Sequence, residues 1–200
     1  QIQQLKTEYG IDAVICAMSG HFMQRGEPAI VHKLDRTNMA LNAGADLVLE
    51  LPALFATRSA YWFALGGVSL LAGTGIVTHL AFGAESNDLP ALEKTAAFLA
   101  KPGQAFEAAL KTRLKEGLSF VEAQGAALKD RFNALVPTAP NDRLVLCYLQ
   151  IIAERKYSLK PILIPRKKAG YHDLQPVAGS NFASANAIRS MLASASSPQE

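Results

Sequence analysis

Residues able to bind an anion are concentrated in one short stretch, residues 19–28 (SGHFMQRGEP), which follows an apolar run. Its glycines let a backbone approach a ligand closely, and Gln24 and Arg25 can donate hydrogen bonds to carboxylate or phosphate oxygens. Ser19 opens the stretch. Ligands of open parallel sheets bind beyond the carboxyl ends of the strands, so this position favours a binding site over an ordinary loop.

Two further clusters also follow apolar runs. Gly83, in the stretch FGAESND, could place bare backbone against an adenine or a ribose. A tight turn that caps the next helix accounts for the same residues equally well. The basic triplet RKK begins with Arg166, which is the best placed of the three to face phosphates. His172 and Asp173 come soon after, but adjacent side chains point in different directions, so we interpret them as structural.

The fourth cluster, FASANAIR, ends at Arg189. Its Ser184 suits the N-cap position of a following helix, and a helix N-terminus with unpaired N–H groups is a ready site for an anion. Arg189 lies little more than one helical turn further on and could reach the same phosphate. A plain capped helix with an exposed arginine explains the cluster equally well, so the spacing leaves both interpretations open.

The elements that position these clusters are predicted from hydrophobic patterning. Four short apolar runs are typical of strands buried on both faces, because each ends in glycine, proline or polar residues. Helical patterns lie between the first three runs, and strands separated by crossover helices predict a mainly parallel α/β sheet. The predicted helices are residues 32–43 and 59–72, and the predicted strands, expected to be adjacent in one sheet, are residues 12–18, 46–51, 78–83 and 160–164.

Residues 88–156 carry no convincing strand pattern, and their apolar residues recur at helical spacing, as in Leu92, Ala96 and Leu99. We therefore predict a helical insertion within the α/β fold. The chain is accordingly divided into a first part of the core (1–87), the insertion (88–156), and a return to the core that ends in a helix (157–200).

Composition narrows the class of protein. Half of the 200 residues are hydrophobic, and the net charge of +3 is compatible with an anionic ligand without requiring nucleic acid. Cys16 and Cys147 are far apart in the sequence, so no disulfide framework is implied and a reducing cytoplasm is predicted. Residues 60–77 contain no charge, but their glycines indicate a buried helix and a turn rather than a membrane span.

Taken together, these stretches resemble one known family. Residues 18–52 (MSGHFMQRGEPAIVHKLDRTNMALNAGADLVLELP) resemble the most distinctive stretch of the tRNA(Met) cytidine acetate ligases. The motifs FGAES, APND, IPRKKAGYHD and FASANAIR follow in that family's order, so the resemblance covers essentially the whole chain. It implies a nucleotidyltransferase-like, Rossmann-like α/β fold.

The resemblance also implies which residues contact ATP. Gly83, Asn141 and Arg166 fall at the family's ATP-contacting positions, although Asn141 would otherwise be interpreted as a helix N-cap. The stretch SANAIR matches the family's second nucleotide motif. The first motif, His-x-Gly-His, is absent from the sequence, so no catalytic residue is predicted. We expect residues to precede Gln1 and a tRNA-binding domain to follow the chain.

The implied chemistry has two steps. Acetate attacks the α-phosphate of ATP, giving acetyl-adenylate and pyrophosphate, and N4 of the wobble cytidine in elongator tRNA(Met) then attacks the acetyl carbonyl and releases AMP. The first step depends on charge neutralisation at the phosphates, for which Lys33, Arg166, Arg189 and the helix end at Ser184 are suited. Mg²⁺ is the usual companion of ATP, but no carboxylate pair singles itself out, so no metal-binding residue is predicted.

Two other functions stay open on the sequence. An adenylyltransferase that makes a dinucleotide cofactor would share the sheet and the Ser…Ile-Arg motif, although the long 18–52 stretch and the helical insertion argue against it. A non-catalytic nucleotide-binding module would lack the histidine motif. Oligomeric state leaves no pattern in the sequence, and no membrane partner is predicted.

Overall fold

Strands and helices alternate in the first half of the chain, and helices dominate the part that follows. The computed structural model describes residues 1–24, 26–132, 139–165, 188, 189 and 191. The chain divides into two compact units, Gln1–Ile164 and Pro165–Glu200, and in the second unit residues 188, 189 and 191 are helical. The elements in chain order are α1 (Ile2–Glu8), β1 (Ile15–Ser19), α2 (Lys33–Asn42), β2 (Leu47–Leu51), α3 (Ala53–Ala56), α4 (Ala60–Ala72), β3 (His79–Ala84), α5 (Leu89–Ala100), α6 (Gln104–Lys115), α7 (Phe120–Phe132), α8 (Pro140–Arg155) and β4 (Lys160–Pro165).

All four predicted strands are present. β1 and β2 are parallel and pair in a register that runs from Ile15 opposite Leu47 to Ser19 opposite Leu51. The prediction of a single sheet is wrong for the described residues, because their hydrogen bonds form two two-stranded sheets, β1–β2 and β3–β4. Apolar runs identify strands, but which edges pair depends on where backbone N–H and C=O groups meet in three dimensions.

One hydrophobic core joins both sheets to the helices. Its buried members come from β3, α4 and α5 to α8, while Ile15 and Ala17 of β1 pack against it. Helix α8 is central to this packing because it contacts α4, α5 and β3. Residues 88–156 therefore contain helices and, among the described residues, no strand, and these helices share the core of the α/β elements.

A second, smaller cluster covers the other face of β4. Ile162 and Ile164 are buried against Leu5 of α1, whereas Leu163 packs against the main core. Alternate side chains of a strand point to opposite faces of its sheet, so both faces of β4 are covered. This explains why an uninterrupted apolar run marked the strand in the sequence.

The uncharged stretch at 60–77 forms the buried helix and turn that its glycines predict. Ala64, Val68 and Leu71 of α4 are buried in the main core. Thr74 Oγ1 then donates to the carbonyl oxygen of Leu71 at 2.7 Å, and Gly75 follows with φ +73°. No helix in the described ranges is long and apolar enough to cross a membrane.

Both cysteines are free thiols. Cys147 lies on α8 against the main core, and burial raises the pKa of its thiol to about 11. Burial also raises the pKa of Cys16. A thiol acts as a nucleophile in its ionised form, so neither side chain is suited to covalent chemistry at neutral pH.

Candidate functional site

Arg36 ties the carboxyl end of β1 to the loop that precedes α2. Its Nη1 donates to the carbonyl oxygen of Ser19 at 3.0 Å, its Nη2 to that of Gly20, and its Nε to that of Val31 at 3.0 Å. The guanidinium can serve all three because its donors form a rigid planar fork. Ser19 is only 7% exposed. Arg36 thus holds the backbone in place where the first polar cluster begins.

Lys33 and Glu50 form an ion pair beside the same turn. Lys33 Nζ lies 2.7 Å from Glu50 Oε2, and this hydrogen bond holds the pKa of the Glu50 carboxyl below its ordinary value. A Cβ at position 20 would overlap the Glu50 carboxylate, so Gly20 leaves the room that the ion pair needs. Lys33 therefore has an anionic partner within the chain, which a bound phosphate would have to share.

The described residues that follow Gly20 in the first polar cluster form a small hairpin. Phe22 and Pro28 form an antiparallel bridge, and Ala29 N donates to the carbonyl oxygen of His21 at 2.8 Å. Gln24 lies in the turn of this hairpin. The cluster is therefore a folded loop that extends beyond β1, in the position where ligands of parallel sheets bind.

The second polar cluster is joined to the start of α8 by reciprocal hydrogen bonds. Asp142 Oδ1 accepts from the backbone N–H of Glu85 at 2.8 Å and from that of Ser86 at 3.0 Å. In return, the Glu85 carboxylate accepts from the backbone N–H of Asp142 at 3.2 Å and from the side-chain amide of Asn141. Asp142 is 6% exposed, and these N–H groups satisfy a carboxylate that would be costly to bury alone.

Gly83 and Asn141, both predicted to contact a nucleotide, belong to this hydrogen-bonded unit. Gly83 lies near the end of β3, two residues before Glu85, and Asn141 is the second residue of α8. The backbone N–H groups at the start of a helix favour an anion, and the Glu85 carboxylate supplies one. Ser86 Oγ is buried and has no hydrogen-bond partner among the described residues, so the unit retains one unused polar group.

The structure brings predicted site residues together in two groups. Ser19 and Lys33 lie in the first, at the carboxyl ends of β1 and β2, and Gly83 and Asn141 lie in the second, at β3 and α8. Within the described ranges no hydrogen bond or ion pair joins the groups. Arg189 is helical and belongs to the second compact unit. Three predicted residues lie outside the described residues, namely Arg25, Arg166 and Ser184.

The charged residues that organise both groups were not predicted. Glu85 and Asp142 are 57 positions apart, so no local spacing could pair them. Arg36 lies on a helix, where a lone arginine is usually a solvated residue. The available signals were weak: a carboxylate directly after a strand, and another in the first turn of a helix. Where residues are described, no group of three or more His, Cys, Asp or Glu side chains could hold a metal ion.

Known proteins resemble the chain along most of its length. The family model described as HIGH Nucleotidyl Transferase matches residues 1–200. A tRNA(Met) cytidine acetate ligase of Syntrophomonas wolfei is 44% identical over 200 residues, which cover 96% of this chain and 47% of that protein. The ligase of Alkaliphilus metalliredigens is 42% identical over 193 residues, covering 89% of this chain and 45% of its own. The chain thus spans about half the length of the curated relatives that it matches.

Two solved structures share the fold. The crystal structure of Thermotoga maritima TmcAL in an apo form matches with a TM-score of 0.90 at 35% identity, covering 96% of this chain and 47% of that one. The same protein bound with alpha-thio ATP matches with a TM-score of 0.86 at 34% identity, covering 96% and 46%. The predicted nucleotidyltransferase-like α/β fold is confirmed by this similarity.

Proposed function

The chain belongs to the HIGH nucleotidyl transferase family, and we propose from this that it is the nucleotide-binding core of an ATP-dependent tRNA(Met) cytidine acetate ligase. The observation that carries the proposal is the 44% identity to such a ligase over 96% of the chain. The family resemblance predicted from residues 18–52 and the later motifs is confirmed by these relatives. The chain spans about half the length of each relative, so we propose the ligase activity for the full-length protein.

ATP is the proposed nucleotide, since a solved protein similar to this chain was crystallised with alpha-thio ATP. We assign direct ATP contacts to Gly83, Asn141 and Arg166. The hydrogen-bonded unit at β3 and α8 supports the first two, because it holds the end of a strand and the start of a helix in one rigid arrangement. The further phosphate or substrate contacts that we propose are Ser19, Gln24, Arg25, Lys33, Ser184 and Arg189.

In the proposed first step, a carboxylate oxygen of acetate forms a bond to the α-phosphorus of ATP. The bond from that phosphorus to the bridging oxygen breaks, and its electron pair leaves with pyrophosphate. Acetate is already an anion, so the step needs neutralisation of phosphate charge rather than a base. Arginine and lysine side chains would supply part of that charge, and Mg²⁺ entering with the ATP phosphates would supply more.

In the proposed second step, N4 of the wobble cytidine in elongator tRNA(Met) attacks the acetyl carbonyl. The bond from the carbonyl carbon to the phosphate oxygen breaks, AMP leaves, and the amine loses a proton. Acetate and tRNA are thus the proposed partners, and the cytoplasm, where tRNA is modified, is the proposed location. Relatives named tRNA(Met) cytidine acetate ligase support acetate and tRNA as the partners.

Acetate-dependent pyrophosphate release tests the first step. The full-length protein is incubated with ATP, with and without acetate, in the absence of tRNA, and we expect pyrophosphate to be released only when acetate is present. Adding elongator tRNA(Met) and labelled acetate should then label the tRNA. A transcript whose wobble cytidine is replaced by uridine, which lacks the N4 amine, is the matched control and should stay unlabelled.

The same experiment separates the alternatives. An adenylyltransferase that makes a dinucleotide would release pyrophosphate with a mononucleotide acceptor and would ignore acetate. A nucleotide-binding module without catalytic activity would bind ATP and release no pyrophosphate under either condition. Either result would contradict the proposed ligase activity.

A further inference from the structure

Glu85 holds the side-chain amide of Asn141 in one orientation, and we propose that it is thereby a positioning residue that makes the site select adenine. Asn141 Nδ2 donates to Glu85 Oε1, while Glu85 Oε2 accepts from the backbone N–H of Asp142 at 3.2 Å. Both oxygens of the carboxylate are therefore in use. The inference rests on the proposed function in that Asn141 contacts the nucleotide, and it places this contact at the edge of the base.

The orientation follows from the chemistry of the two groups. An asparagine amide has one end that accepts hydrogen bonds and one end that donates them, and a carboxylate only accepts. Glu85 must therefore face the NH₂ end of Asn141, which directs the amide oxygen away from Glu85. Glu85 uses one N–H of that NH₂ group, and the other N–H remains available to donate. Asn141 thus presents one acceptor and one donor whose positions Glu85 determines.

An acceptor beside a donor matches the edge of adenine. Adenine carries an amine at position 6 next to ring nitrogens that accept, and asparagine can contact the amine and N7 together. A purine with a carbonyl at position 6 would place an acceptor against the amide oxygen. The fixed amide should therefore favour ATP over ITP, which differs from ATP by having that carbonyl.

Glutamine at position 85 should turn the amide of Asn141 around. The backbone N–H of Asp142 needs an acceptor, so the single amide oxygen of glutamine would face it. The NH₂ group of glutamine would then face Asn141 and require the oxygen of that amide. Asn141 would in turn present its NH₂ end to the base, which suits a carbonyl at position 6.

The test compares the Kd values of the full-length protein for ATP and for ITP by calorimetry. We expect wild-type protein to prefer ATP by about tenfold, since one neutral hydrogen bond is gained and one repulsive contact is avoided. Glu85→Gln should reduce that preference by about tenfold or invert it. In an Asn141→Ala background, Glu85→Gln should leave the ratio of the two Kd values unchanged within about twofold, because the amide through which it acts is absent.

Glu122→Gln is the matched control. Glu122 is also a carboxylate near the start of a helix, where its Oε2 accepts from Ser119 N at 3.0 Å, and its replacement should not alter the ratio.

A purely structural role for Glu85 would weaken the binding of ATP and of ITP equally, so an unchanged ratio in Glu85→Gln overturns the inference. If Glu85→Gln does not fold, the Asn141→Ala variant alone tests the inference. An Asn141→Ala protein that keeps the wild-type ratio of the two Kd values would also overturn it. Wild-type protein that binds no ATP would overturn the proposed function as well.

Discussion

A single guanidinium determines the backbone geometry at the carboxyl end of β1. Arg36 donates to the carbonyl oxygens of Ser19, Gly20 and Val31. The first two are consecutive in the chain, and Val31 lies near the other end of the connection between β1 and α2. Hydrogen bonds from a charged donor contribute more than neutral ones, and the fork of arginine meets several acceptors without losing much conformational freedom. The polar loop that begins at Ser19 therefore depends on one side chain of α2.

Arg36→Lys should lower the free energy of unfolding by about 2 kcal/mol, because one ammonium cannot reach three carbonyl oxygens in this geometry. Urea denaturation followed by circular dichroism measures the effect. Arg155→Lys, at an exposed position in the last turn of α8, is the control and should change stability by less than about 0.5 kcal/mol. Equal stability of Arg36→Lys and wild type would show that the three contacts contribute little.

Two neighbouring glycines of helix α4 differ in what surrounds them. Gly66 and Gly67 are both buried within the helix. A Cβ at Gly66 would overlap the side chain of Phe55 and approach Leu51 Cδ1 at 3.0 Å, whereas a Cβ at Gly67 would meet no atom within 4 Å. Gly66 therefore allows α3 and β2 to pack closely on α4, while Gly67 only weakens the helix.

Gly66→Ala and Gly67→Ala should change stability in opposite directions. Gly66→Ala should lower the free energy of unfolding by about 1–3 kcal/mol, because the added methyl group has to displace Phe55 in a packed core. The second should stabilise the protein by about 0.5–1 kcal/mol, because alanine is the better helix former. The midpoints of thermal unfolding measure both, and each variant is the control for the other. Destabilisation of similar size in both variants would contradict the packing argument.

At the scale of the whole molecule, two sheets and the α5–α8 helices share one core within Gln1–Ile164. The proposed phosphate contacts do not all lie in that unit, since Arg166 and Arg189 belong to Pro165–Glu200. The family model matches residues 1–200 and so covers both units.

Arg166→Ala and Arg189→Ala should each lower acetate-dependent pyrophosphate release by roughly ten- to a hundredfold, because each would remove a charge-assisted contact to phosphate. Lysine at either position should restore only part of the rate, since an ammonium lacks the two-pronged geometry. The rate is measured in the full-length protein without tRNA, with the midpoint of thermal unfolding recorded alongside. Arg155→Ala should keep the wild-type rate. Wild-type rates in both variants would place the phosphate site elsewhere.

The sequence by itself determined the four strands, helices α2 and α4, the α/β class and the family. Strand β4 and helix α4 were predictable because apolar composition is a local property of the chain. β4 is a short uninterrupted apolar run, and α4 is an uncharged stretch that ends in a glycine turn. Candidate residues such as Gly83 and Lys33 were also found locally, from their places beside strand ends and from the resemblance. The contacts that these residues make could not be found from the sequence.

Only the tertiary structure decided which parts of the chain meet. The pairing of β3 with β4, the ion pair of Lys33 with Glu50, and the exchange of hydrogen bonds between Glu85 and Asp142 all join segments distant in sequence. Glu85 and Asp142 carry the same charge, so charge patterning could not have paired them. Both carboxylates accept from backbone N–H groups, which every residue except proline possesses. Residue types alone therefore do not show which N–H groups a carboxylate will bind in the folded chain.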